Sequence, residues 1–148
     1  MSFPQSTVAE IIESERQMAL TAEDRYGRYY GNAFDVGVLL QHGIIGVPAN
    51  RDIFARFASQ VKKYHLLALF SFVRLHQTQG LMNLRLTLEA GASAAYAIGH
   101  NDPADYANTD AHGLLDPAQE LTGRRYRWLH DNYPDGSASL KALKDPIN

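Results

Sequence analysis

The sequence predicts an all-α fold, a helical bundle of about five or six helices with a long central helix pair. Three observations carry this. Apolar residues recur at spacings of three and four, helix-capping residues stand where those runs begin, and no segment shows strand-length alternation.

The elements follow in order. Thr7-Val-Ala-Glu10 reads as a capping box, so a helix is expected from Thr7 to Asp24, with Val8, Ile11, Ile12 and Met18 on one side. Between Tyr26 and Gly46 the spacing of Phe34, Val38 and Leu39 is helical. The glycines at 27, 31, 37, 43 and 46 weaken it, which restricts the expected helix to Ala33–His42, before a turn through Gly46-Val-Pro48. Asn50 reads as the N-cap of the next helix, in which Ile53, Phe54, Phe57, Val61, Tyr64, Ala68 and Phe72 repeat at three and four. From His65 to Val73 the run is apolar nearly all round, the pattern of a segment central to a bundle. This helix is expected to reach Gln79, with Gly80 as a kink or break. Leu81–Ile98 continues it or forms a new helix whose last turns, Ala90-Gly-Ala-Ser-Ala-Ala, are small enough for close approach of a neighbour. Gly99 through Pro103 is a stop signal, and a short helix is expected over Ala104–Tyr106, followed by a loop from Asn108 to Leu115. Asp116 as N-cap and Pro117 at the first helical position open a helix to Asn132. A turn over Tyr133–Gly136 and a last helix, Ser137–Lys144, complete the chain.

The 148 residues fit one domain. Cysteine is absent, which excludes disulfides, thiolate metal sites and cysteine nucleophiles, and fits a cytoplasmic protein. A net charge of −2 provides no field favouring nucleic acid or anionic membrane. The longest nearly uncharged apolar run, Leu66–Val73, is far short of the ~20 residues of a membrane helix. Met1–Glu15 lacks the basic-then-apolar order of a signal peptide.

Three constellations are candidates for chemistry. The first is His76, Asn83, Arg85 and Glu89 in the central helices, with Gln77 and Gln79 beside them. Polar groups there form either a small-molecule pocket or a structural network, and Arg85 and Glu89 are spaced to pair along one helix. The second is metal. The histidines at 42, 65, 76, 100, 112 and 130 form no His-x-x-x-His and no Glu-x-x-His, and Asp110-Ala-His112 stands alone, so no metal or other cofactor is expected. The third is Arg124-Arg125-Tyr-Arg127-Trp128-Leu-His130. An Arg could steady a phosphate while His130 handles a proton, and the aromatic rings could stack on bases. With ten Arg and six His in the chain, chance alone supplies about one Arg-x(4–6)-His spacing. No phosphate-binding glycine loop and no Gly-x-Ser-x-Gly elbow occur.

The run Tyr64–Tyr96, centred on Arg85-Leu-Thr-Leu-Glu89-Ala, resembles a group of uncharacterised bacterial helical proteins in which Arg-x-x-x-Glu-Ala follows an apolar helix. Tyr126–Pro134 and Ser139–Asn148 look like the later segments of the same group, so the resemblance covers about half the chain. In outline the group is similar to HEPN-like bundles. The resemblance implies the fold, relatives that continue beyond Asn148, and, as an alternative activity, metal-independent RNA cleavage by Arg125 and His130. Nuclease members commonly carry a polar residue directly after the Arg, where this chain has Tyr126.

The leading expectation is a non-catalytic module that forms a homodimer or binds a protein partner through an apolar or small-residue helix face. The motivating features are the apolar central helix and the small-residue run after Ala90. RNA would be a partner only under the ribonuclease alternative, and a small-molecule-binding bundle is the second alternative.

Overall fold

A computed structural model describes residues 7–109, 112, 115–116 and 119–147. The chain is an all-α bundle of seven α-helices among the described residues: α1 (Val8–Leu20), α2 (Ala22–Tyr26), α3 (Arg28–Ile45), α4 (Asp52–Val73), α5 (Gln77–Ala97), α6 (Gln119–Asn132) and α7 (Pro134–Lys144). Short 3-10 turns lie at Ala49–Arg51, Pro103–Asp105 and Asp145–Ile147. Two residue pairs, Asn108–Thr109 (β1) and Leu115–Asp116 (β2), meet antiparallel.

The expected capping box is present: Thr7 Oγ1 accepts from the Glu10 amide at 3.2 Å and Glu10 Oε2 accepts from the Thr7 amide at 2.6 Å. The helix it opens is shorter than expected, because the chain breaks at Thr21 and again at Gly27. Gly27 has φ +52°, a conformation open to glycine at little cost, and it separates α2 from α3. By contrast the glycines inside α3 do not stop it. Helix α3 runs through Gly31, Gly37 and Gly43 from Arg28 to Ile45, well beyond the expected Ala33–His42. Tertiary packing outweighs propensity here. A side chain at Gly37 would stand 2.9 Å from Leu66, so its absence lets α3 approach α4.

Helices α4 and α5 form the central antiparallel pair. Asn50 does not cap α4. It lies in the 3-10 turn, where its carbonyl accepts from Asn101 Nδ2 at 2.7 Å, while Arg51 Nη1 donates to the Ile98 carbonyl at 2.9 Å. These bonds fasten the start of α4 to the end of α5.

The break between the two helices is at Arg74-Leu75-His76, not at Gly80. The His76 amide donates to the Ser71 carbonyl at 2.8 Å and the Leu75 amide to that of Phe72 at 2.9 Å. This is a Schellman ending, with its left-handed position, normally a glycine, taken by Leu75 at φ +62°. Gly80 sits inside α5 instead, buried against α4. A Cβ there would come within 2.7 Å of the Phe72 ring. The glycine that reads as a break is the contact point of the helix pair.

Helices α6 and α7 cover α5. Helix α6 ends at Asn132 as expected. Residues 117 and 118 lie outside the described residues, so the expected Pro117 start does too. Helix α7 begins at Pro134 rather than Ser137, because Pro134 fits the first helical turn, and Tyr133 alone joins it to α6. No helix of the described residues is long and apolar enough to cross a membrane.

Two substitutions test this account of the hairpin. Gly80→Ala gains about 1 kcal/mol of helix propensity but meets Phe72, and overpacking of that kind costs about 1–3 kcal/mol, so net destabilisation is expected in urea unfolding. Leu75→Gly relieves the left-handed strain and is expected to raise stability by up to about 1 kcal/mol.

Candidate functional site

The sequence candidates do not gather at one place. His76 precedes α5 and its Nε2 lies 3.3 Å from Glu15 Oε1 of α1; Arg74 Nη1 reaches the other Glu15 oxygen at 3.4 Å. Asn83 is buried in α5. Arg85 and Glu89 pair along the helix as expected, Nε to Oε1 at 3.1 Å. Glu89 Oε1 also takes Lys144 Nζ of α7 at 3.3 Å. Lys144 meets the Tyr126 hydroxyl at 3.2 Å as well. Burial disfavours the charged ammonium, but the Tyr126 and Glu89 contacts outweigh it and hold the Lys144 pKa above its ordinary value. Nothing in the spacing of Glu89 and Lys144 announces this meeting, because it depends on how α7 folds back over α5.

Arg125 and His130 of α6 face different surroundings. Arg125 is half-buried against α5: Nη1 donates to Ser93 Oγ at 2.8 Å and Nη2 to Thr122 Oγ1 at 3.0 Å. Its Nε is buried without a partner, and its guanidinium lies 5.7 Å from the Tyr106 ring centroid. His130 is exposed and its Nδ1 lies 3.3 Å from Asp131 Oδ1. Arg125 lines a cavity between α4, α5, α6 and α7, whereas His130 borders a separate surface hollow with Arg127 and Lys141. The two side chains share no cavity within one chain. Among the described residues no group of His, Asp or Glu side chains could hold a metal ion.

Tyr106, on one side of Arg125, belongs to an aromatic cluster. Tyr96, 2 % exposed, stacks on His100 with centroids 3.8 Å apart and planes within 6°. Trp128 meets both rings edge-on, at 5.4 and 5.2 Å, and Tyr106 meets Tyr96 edge-on at 5.7 Å. The Tyr106 hydroxyl donates to the His100 carbonyl at 2.7 Å, and burial pushes its pKa well above the usual tyrosine range. Trp128 is therefore a packing residue joining α6 to α5.

In the small-residue run of α5, Ala90, Ala92, Ser93 and Ala94 are buried, while Gly91 and Ala95 are half-buried and border an apolar hollow of about 380 Å³ with α6 and α7. Larger exposed apolar side chains stand on α1 and α3. Helix α1 buries no residue. Glu15, Met18 and Ala19 are half-buried, and three and four residues before Glu15 on the same face stand Ile12 and Ile11, exposed, with Val8 a turn earlier at 73 %. The face by which α1 meets α4 thus continues past its own-chain contact. On α3, Phe34, Val38 and Ile45 form a second exposed stripe, the first two bordering a shallow apolar hollow of about 210 Å³ with Leu66.

Comparison with protein-family models, curated proteins and solved structures yields no match to this chain.

The aromatic contact carries a measurable expectation. Trp128→Ala should cost about 3 kcal/mol in urea unfolding, as for removal of a packed tryptophan. Tyr133→Ala, which removes an exposed ring 5.7 Å from Trp128, should cost about 1 kcal/mol or less.

Proposed function

We propose that this chain is a self-associating helical module whose second copy covers the apolar stripes of α1 and α3. The observation that carries this reading is the continuation of the α1 contact face through Ile12, Ile11 and Val8 into open surface.

A second copy is favoured over a different protein on physical grounds. An apolar face of this extent is unfavourable in water whenever it is free. The one partner always present in equal amount is the chain itself, and a twofold pairing lets the same stripe serve both sides. The small net charge of −2 opposes such pairing only weakly.

Sedimentation at about 1–100 μM should show one species near 33 kDa, twice 16.5 kDa. The double substitution Ile12→Glu with Val38→Glu should convert it to a monomer while helical circular dichroism is retained, since both positions are exposed. Wild-type protein that sediments as a monomer throughout that range refutes the reading.

A further inference from the structure

The cavity that Arg125 lines is about 300 Å³, at the lower end of small-molecule sites. Its charged groups are unevenly matched. Lys144 is paired with Glu89, whereas Arg125 meets the hydroxyls of Ser93 and Thr122 and the face of the Tyr106 ring, all of them neutral. Among the described residues no carboxylate lies within ion-pair distance of the Arg125 guanidinium, and its Nε has no hydrogen-bond partner. Neutral hydroxyls fix the orientation of a guanidinium without compensating its charge. A half-buried cation left in that state is costly, and an anion in the adjoining space relieves the cost. Helix α4 and the middle of α5 contribute Phe57, Tyr64 and Leu86, with Gln60 the one polar side chain among them.

From this geometry we infer that the cavity is a binding site for a small organic monocarboxylate with a flat apolar body. The carboxylate would take the outward N–H groups of Arg125, oriented by Ser93 and Thr122, and the body would lie against Phe57, Tyr64 and Leu86. Among the described residues that line the cavity, Arg125 and Lys144 carry two positive charges and Glu89 one negative, a net charge of one that a monoanion matches, whereas a dianionic phosphate would leave a charge in excess. The size accommodates a single ring. This inference stands apart from self-association, because none of the residues it uses belongs to the exposed stripes of α1 and α3.

Isothermal titration at fixed ionic strength tests it, with sodium benzoate as the probe and benzamide and inorganic phosphate as comparisons. Benzoate should bind saturably, and benzamide, its neutral counterpart, and phosphate should each bind at least about tenfold more weakly. Arg125→Gln should weaken benzoate at least about tenfold by removing the charge while leaving amide donors. Because Arg125 also holds α6 to α5, a second variant keeps the test independent of folding: Leu86→Trp fills the apolar side, leaves the charges in place, and should weaken benzoate to a similar degree. Absence of saturable benzoate binding overturns the inference. So does benzamide or phosphate binding as tightly as benzoate, or benzoate binding undiminished in both variants.

Discussion

The close approach of α4 and α5 is the contact on which the rest of the structure depends. It requires small side chains along the seam, and at Gly80 it requires none, because the Phe72 ring occupies the place of a Cβ. The cost of this choice is hydrophobic. Of the eleven buried apolar residues among those described, seven are alanine, and each removes little area from water. Among the described residues Tyr96 is the one large side chain buried almost completely, and it is held by ring contacts with His100, Trp128 and Tyr106. A bundle built this way has a thin core. Its larger apolar side chains, in α1 and α3, have no interior to enter.

The fold class was legible because periodicity and caps are local. Thr7 and Glu10 form their box from residues three apart, and the apolar run of α4 reads the same in any tertiary setting. What misled was glycine. Its intrinsic tendency is to end helices, yet Gly31, Gly37 and Gly43 lie within α3, and Gly80 lies within α5. The hairpin closes instead on Leu75, whose left-handed conformation no propensity scale would assign to leucine. The two departures have one cause. A short link three residues long fixes where α5 must start, and the register so fixed brings Gly80, not a larger residue, opposite Phe72. Asn50 shows the same tertiary override: it has the chemistry of an N-cap, but its carbonyl is used to bind Asn101.

The site residues were legible only in part. Arg85 and Glu89 pair as four-residue spacing requires, but the partner that turns the pair into a network, Lys144, comes from α7. Arg125 and His130 are five positions apart on one helix, which rotates them well away from one another; only a bend or a second chain could unite them. The environment that gives Arg125 its character comes from α5 through Ser93 and from Thr122, three residues away. Of these, Thr122 could have been noticed from helical spacing, while Ser93 was hidden in a small-residue run that served as a packing signal.

The arm formed by α1 shows how thin a hold the chain has on its own apolar surface. Its polar anchors are the Glu15–Arg74 ion pair and the contact of Glu15 with His76, all at least 30 % exposed, and an ion pair so exposed contributes about 1 kcal/mol or less. The apolar contact at Met18 and Ala19 is only half-buried. Neither term is large beside the cost of ordering thirteen helical residues, at about 1–2 kcal/mol of backbone entropy per residue before helix hydrogen bonds are counted. Val8, Ile11 and Ile12, which one chain leaves in water, are the apolar side chains of α1 that the proposed second copy would cover. Under self-association the ordering of α1 and the burial of its stripe are one event. The arm then holds its place because a second copy covers it, and the small-residue seam of α4 and α5 can remain thin.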